Sequence, residues 1–241
     1  MQTKVNLLGY SLSSLEDFFK NINEPKFRAK QLLKWIHQKG VINFDQMTDF
    51  NKLLRQKLNS IAHITPPYVD EIFISPEGTK KYLVKLESGS MIEMVRIPEK
   101  KRMTLCISSQ AGCALQCTFC ATGAQGFEKN LTADEIIGQV WLANFHDPKE
   151  KPITNIVFMG MGEPLLNFEP VVESAKIMKD QMAYGLSRKR ITISTSGITP
   201  QIDKLSQSID VSLAISLHAP TNKLRNEIVP INKKYPISEL I

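Results

Sequence analysis

Nowhere in the 241-residue chain is there a run of about 18 apolar residues, which excludes a membrane-spanning helix. Residues 1–19 are too polar and acidic for a secretory signal, so the expected location is the cytoplasm. Linkers, internal repeats and low-complexity segments are missing as well. Cysteine is confined to one stretch: Cys106, Cys113, Cys117 and Cys120 fall within fifteen residues and none lies elsewhere. The disulfide framework of a secreted domain scatters its cysteines, so this clustering points to a metal site instead.

What remains is an ordinary globular composition, 42% hydrophobic and 22% charged. The net charge of +6 is unevenly spread, since residues 1–60 carry ten Lys/Arg against five Asp/Glu. A basic N-terminus suits a polyanion such as nucleic acid, because phosphate neutralisation drives much of that binding; a solvated helix surface accounts for the same charge.

The pattern along the chain predicts helices first. Ser13 and Glu16 have capping-box spacing before a short helix through Phe19, and Leu32, Leu33 and Ile36 repeat at helical spacing up to a stop at Gly40. Phe50, Leu53, Leu54 and Leu58 make a third apolar stripe. Beyond Pro66-Pro67, residues 68–98 read as extended, with strands over 81–86 and 91–97 flanking the hairpin signal Glu87-Ser88-Gly89-Ser90. From Arg102, strands over 104–108, 155–159, 190–194 and 211–216 alternate with helices, one of them opened by a capping box at Thr132 and Glu135. Such alternation predicts parallel strands with crossover helices. The expected fold is therefore α/β, a partial (β/α) barrel over 102–241 that is incomplete at its C-terminus. A basic helical domain over 1–65, suited to docking a nucleic acid, and a β-hairpin connector over 66–101 precede it. Phe18, Phe19, Phe27 and Trp35 suit stacking on bases, but aromatics at helical spacing are more often core.

Cys113-Ala-Leu-Gln-Cys117-Thr-Phe-Cys120 follows a predicted strand directly. Three thiolates so close can hold three irons of a four-iron cubane and leave the fourth open. An open iron can bind the amino and carboxylate groups of S-adenosylmethionine (SAM), whose reductive cleavage yields a 5′-deoxyadenosyl radical. The competing choice is a tetrahedral zinc held by all four cysteines. Structural zinc sites usually pair two separated Cys-x2-Cys hooks, and here an x3 spacing stands without a second hook. Gly162-Glu163-Pro164 ends the second predicted strand of the barrel, where parallel sheets place ligands, and suits the methionyl ammonium. Ser194 and Ser216-Leu217-His218 end the third and fourth strands at equivalent heights, with hydroxyls suited to a carboxylate or ribose. His218 alone reads as a structural strand-end histidine.

Several separated blocks now combine: Glu24-Pro25-Lys26-Phe27-Arg28-Ala29, Thr104 to Cys113, Gly160-Met161-Gly162-Glu163-Pro164-Leu165-Leu166-Asn167, Ser194-Thr195-Ser196-Gly197 and Ser216-Leu217-His218-Ala219-Pro220. Together they resemble the RlmN family, the dual-specificity 23S rRNA and tRNA adenine-C2 methyltransferases of the radical SAM superfamily. The resemblance implies an enzyme with a [4Fe-4S] cluster on Cys113, Cys117 and Cys120, and SAM bound by Gly162, Glu163, Ser194, Ser216, Leu217 and His218. It implies methylation of carbon 2 of adenosine in 23S rRNA and beside the anticodon of tRNA, by way of a methylated cysteine. Glu93 is implied as proton acceptor and Cys106 as the thiol that resolves the protein–RNA adduct. An external flavodoxin-like electron donor and a monomeric state complete the expectation. Without the resemblance, Glu93 reads as an exposed strand glutamate and Cys106 as a small core residue; apolar neighbours on 91–95 would raise the Glu93 pKa. The methyl-accepting cysteine of the family would lie beyond Ile241, so this chain is expected to hold the cluster without completing methyl transfer. Two other functions stay open: carbon-8 methylation of the same rRNA adenine, from which Pro164 and Ser196 point away, and a non-catalytic zinc-stapled RNA-binding module.

Overall fold

A computed structural model describes residues 4–241. Residues 1–3, which open the segment read above as no secretory signal, lie outside the described residues. The N-terminal part runs from a short strand β1 (Val5–Asn6) through helices α1 (Leu12–Asn21), α2 (Phe27–His37) and α3 (Lys52–Ile61) to β2 (Ala62–His63), which pairs with β1 in parallel. Ser11, not Ser13, caps α1: its backbone is extended (φ −66°, ψ 172°) and its side chain accepts a hydrogen bond from the Ser14 amide. Ser13 already lies inside the helix, so the expected capping box is two residues out of register. Leu15, Phe19, Leu32, Leu33, Ile36, Leu54 and Leu58 fill the space between the three helices. Leu53, assigned to the third stripe, is 77% exposed. Helix α3 buries the Leu54/Leu58 pair at i, i+4, and one residue back points about 100° away. Of the aromatics, Phe19 is core and Phe18 packs edge-on against it, whereas Phe27 is 54% exposed with the Arg28 guanidinium 4.8 Å from its ring.

Strands β3 (Tyr68–Ile74), β4 (Lys80–Lys85), β5 (Met91–Pro98) and β6 (Met103–Cys106) form an antiparallel meander. After β6 come β7 (Gln110–Gly112), the cysteine loop, α4 (Ala121–Gln125), β8 (Phe127–Asn130) and α5 (Ala133–Phe145). Then follow β9 (Asn155–Phe158), α6 (Phe168–Lys179), β10 (Ile191–Thr195), α7 (Thr199–Ser208), β11 (Ser212–Ile215), α8 (Asn222–Ile228) and α9 (Ile237–Leu240). The order β11-β10-β9-β6-β5-β4-β3 makes one seven-stranded sheet, parallel from β6 to β11. Strands β3 to β5, from the stretch 66–101, thus share a sheet with the barrel strands. The small β7–β8 hairpin and α4 escaped the sequence pattern, because Gln110-Ala111-Gly112, Ala121 to Gln125 and Phe127-Glu128-Lys129-Asn130 carry no run or alternation of large apolar residues.

The two faces of the sheet differ. Ile92, Met94, Leu105, Ile156, Phe158, Ile191 and Ile193 alternate onto one face and are buried. The register sets Val95 opposite Cys106, Cys106 opposite Val157, Val157 opposite Thr192 and Thr192 opposite Ser212, so these residues share the other, partly open face. Helix α5 opens with the expected capping box of Thr132 and Glu135 and is buried along much of its length. Its Gln139 side chain exchanges two hydrogen bonds of 2.9 Å with the backbone of Ser108, clamping the helix to the end of β6.

The N-terminal helices are fastened to this core by polar contacts. Trp141 Nε1 donates to the Ile36 carbonyl at 3.1 Å, and His37 Nδ1 lies 3.1 Å from the Tyr184 hydroxyl. Burial pushes His37 down to about 3 from 6.5, and the same burial raises Tyr184. The folded protein therefore refuses a proton that the unfolded chain takes up as pH falls below 6.5, and stability declines between 6.5 and about 3. From this one group the loss by pH 5 is about 2 kcal/mol. Urea midpoints measured at pH 8 and pH 5 should fall accordingly in the native chain and fall less in His37→Gln; equal pH dependence in both would exclude His37 as the cause.

Candidate active site

The C-terminal ends of β9, β10 and β11 face the cysteine loop across a cavity of about 650 Å³. Cys113, Cys117, Cys120, Gly162, Glu163, Ser194, Ser216, Leu217 and His218 all line it. The loop is shaped by backbone constraints. Gly112 has φ +72°, and a Cβ there would lie 1.9 Å from the Gly126 carbonyl oxygen, so any side chain would force the β7–β8 hairpin apart. Cys113 N donates to that same carbonyl at 2.9 Å, Cys120 N to the Cys117 carbonyl at 3.0 Å, and Thr118 N to the Ile228 carbonyl at 3.1 Å. The last bond ties the loop to the end of α8.

Burial raises the thiol pKa of Cys113 and Cys117, and charges on neighbouring cysteines and on Glu163 raise them further. A bound metal centre has to displace these protons. Among the described residues, no three His, Cys, Asp or Glu groups converge closely enough for a single metal ion. A cubane asks for something else: three sulfurs around one cavity, each on its own iron. Cys106 does not line the cavity; it ends β6 between Val95 and Val157, its thiol pKa raised by burial. Cys106 thus stands outside the cavity that the other three cysteines line, and three soft sulfurs with open space beside them fit a cluster carrying a ligand.

Glu163 is buried, its carboxylate accepting hydrogen bonds from Leu165 N at 3.1 Å and Ser196 N at 2.7 Å, and burial raises its pKa. It therefore links the turn after β9 to the turn after β10. Gly162 has φ +93° and packs so closely on Gln110 that a Cβ would approach that side chain to 2.5 Å, while Gln110 Oε1 accepts from Glu163 N at 2.9 Å. Ser194 and Ser216 hydroxyls stand 3.3 Å apart on neighbouring strand ends. His218, with φ +60°, places its ring 4.6 Å from that of Phe119.

Glu93 does not line this cavity, and its surroundings differ from expectation. Its side chain is 45% exposed and pairs with Lys81 Nζ at 2.9 Å on the adjacent strand, because Ile92 and Met94 take the buried side of β5. Glu93 shares the open face of the sheet with Val95, and through Val95 with Cys106. Sequence reasoning did not single out Ser196, Gln110 and Arg225 as site residues: Ser196 lines the cavity, and Gln110 and Arg225 support it from outside its lining. Gln110 and Ser196 belong to the quoted blocks, but Arg225 carried no local signal.

Two protein-family models match the chain in order: the ribosomal RNA large subunit methyltransferase N-terminal domain over residues 5–64 and the radical SAM superfamily over 107–239. The chain belongs to the radical SAM superfamily. Its cofactors are accordingly a [4Fe-4S] cluster and SAM, and an RlmN-type domain precedes the radical SAM domain. The chain is 54% identical to a dual-specificity RNA methyltransferase RlmN of Marinobacter nauticus, over 99% of its own length and 66% of that protein. It is 55% identical to the RlmN of Pseudomonas putida, over 99% and 64% respectively. The chain thus spans 64–66% of the length of these curated relatives. The crystal structure of a radical SAM methyltransferase from Sphaerobacter thermophilus superposes with a TM-score of 0.89 at 38% identity, covering 98% of this chain and 70% of that one.

Anaerobic reconstitution should load about four irons per chain with brown absorbance. Cys117→Ala should abolish it, whereas Cys106→Ala should retain iron, because Cys106 stands outside the cavity. Loss of iron in Cys106→Ala, with the fold intact, would contradict this assignment.

Proposed function

We propose that the chain is the cofactor-binding and RNA-docking part of a radical SAM methyltransferase that places a methyl group on carbon 2 of adenosine in 23S rRNA and in tRNA beside the anticodon. The observation that carries this is the convergence of the three motif cysteines, Glu163, Ser194, Ser216 and His218 on one cavity at the strand ends. Carbon 2 of adenine is an unactivated aromatic position, beyond the reach of ordinary methyl transfer. A cluster with SAM bound supplies one-electron cleavage of a carbon–sulfur bond, the radical chemistry that such a carbon requires.

The chain's own residues take these roles. Cys113, Cys117 and Cys120 hold the cluster. Gly162 and Glu163 receive the ammonium group of SAM, Ser194 and Ser216 offer hydroxyls to its polar groups, and Leu217 and His218 bound the adenosyl side. Burial of the Glu163 carboxylate strengthens its attraction for a cation that enters the cavity. Glu93 and Cys106 lie on the open face of the sheet, outside the lining of the cofactor cavity, where a base bound over that face would meet them. There Glu93 accepts a proton, with Lys81 steadying the carboxylate, and Cys106 is the thiol that resolves the adduct. No cysteine follows Cys120 in these residues, so the methyl-carrying thiol is not among the four present.

The domain over 1–65 docks RNA, supported by its surplus of positive charge and by exposed Phe27 beside Arg28 and Lys39 over Trp35. The stretch 66–101 joins it to the radical SAM core over 102–241. A flavodoxin-like protein delivers the electron, and the protein works as a monomer in the cytoplasm; no helix among the described residues is long and apolar enough to cross a membrane.

The test incubates the reconstituted, reduced protein with SAM and unmodified rRNA or tRNA, followed by mass spectrometry of the nucleosides and of SAM products. Formation of 5′-deoxyadenosine that Glu163→Ala reduces at least tenfold is the expected outcome for this chain. With the methyl-carrying segment supplied, 2-methyladenosine should follow. A carbon-8 product would reassign the position, and an uncleaved SAM pool beside an intact cluster would overturn the proposal.

A further inference from the structure

Arg225 is among the most deeply buried side chains of the protein, with no exposed surface. Among the described residues no Asp or Glu forms an ion pair with it. Its guanidinium instead donates from Nε to the Leu217 carbonyl at 2.9 Å, from Nη2 to the carbonyls of Ser196 at 2.6 Å and Ser216 at 3.3 Å, and from Nη1 to Asn232 Oδ1 at 2.7 Å. Burying a whole positive charge against neutral acceptors is costly, and a hydrophobic side chain would fill the space without that cost. The arrangement makes sense if an anion is to come close.

Its place in the fold says which anion. Ser196, Ser216 and Leu217, whose carbonyls grip the guanidinium, line the cofactor cavity, but Arg225 does not. It stands behind the cavity wall, on the helix whose end receives the Thr118 amide of the cysteine loop. Burial lowers its pKa, and a thiolate at Cys117 would act in the opposite direction. A cluster bound by three thiolates is net negative, and each electron it accepts adds to that charge.

We infer that Arg225 is the fixed counter-charge of the iron–sulfur cluster, a positioning residue that makes the cluster easier to reduce and holds the ends of the β10 and β11 turns in one geometry. The inference rests on the radical SAM reading of the cavity. The step it acts on is the transfer of one electron from an external reductant to the cluster, with no bond made or broken in the protein. A fixed cation in a low-dielectric wall stabilises the added electron, so its removal drives the potential down.

The experiment is a redox titration of the reconstituted chain without SAM, with dithionite as reductant and the reduced-cluster signal followed by electron paramagnetic resonance. Arg225→Gln should shift the oxidised-to-reduced ratio at least tenfold toward the oxidised form, which is 59 mV for a one-electron couple. Arg225→Lys keeps the charge and should stay near the native potential, although it loses the fork that grips the carbonyls. Asn232→Asp leaves the guanidinium in place, sets a carboxylate on Nη1, and should move the potential in the same direction as Arg225→Gln. That variant carries the test if Arg225→Gln does not fold. A purely structural staple predicts that Lys and Gln variants lose thermal stability alike while the potential stays fixed, and that outcome overturns the inference. A native chain that takes up no iron would overturn the radical SAM reading, and the inference with it, whereas a native cluster whose potential no variant moves overturns the inference alone.

Discussion

The structure depends on a sheet whose two faces are unequally covered. Parallel strands are usually buried on both sides, and here α5 and its successors bury one row of alternate residues, Leu105, Ile156, Phe158, Ile191 and Ile193 among them. The opposite row, Val95, Cys106, Val157, Thr192 and Ser212, is left partly open. Because side chains alternate strictly along a strand, the same register that builds the core delivers Glu93 and Cys106 to the open side. A slip of one residue in β5 or β6 would exchange the two rows.

Polar groups then fix the turns that the open face ends in. Gln139 clamps Ser108, Asn167 donates to the carbonyls of Ser109 and Leu131, Glu163 receives the Ser196 amide, and Arg225 gathers three carbonyls. Each of these side chains is buried, and each would be expensive to bury without its partners. The cavity is therefore preorganised by a frame of side chain-to-backbone contacts in which Glu163 lines the cavity and Gln139, Asn167 and Arg225 stand outside its lining. Electrostatically the frame is mixed, a buried acid at Glu163 on one wall and a buried cation at Arg225 behind another, which suits a zwitterionic methionyl group and an anionic cluster.

Much of the scaffold was legible in the sequence because its signals are local. The capping box at Thr132 and Glu135, the hairpin around Gly89 and the four barrel strands depend on short-range pattern and were found close to their true limits. Errors arose where one residue's rotation decides: the cap of α1 moved to Ser11, and Leu53 turned to solvent. The β7–β8 hairpin was invisible because its residues do not alternate polar with large apolar side chains, although it is what gives the cysteine loop its shape.

By itself the sequence determined the chemistry on offer: three cysteines at a spacing that suits a cubane, a glutamate after a strand, serines and a histidine at two further strand ends. Those are properties of residue type and of distance along the chain, and they survive any uncertainty about packing. Only the tertiary structure decided which of them meet. It gathered nine of the eleven candidate residues on one cavity, set Glu93 beside Lys81 instead of among apolar neighbours, and left Cys106 on the sheet face. It also recruited Arg225, which lies more than a hundred residues from the first motif cysteine and announces nothing in its own neighbourhood. The reason is physical: a buried charge takes its meaning from the carbonyls that the fold brings to it, and while those of Ser216 and Leu217 lie close in sequence, that of Ser196 reaches it only because β10 and β11 pair in the sheet.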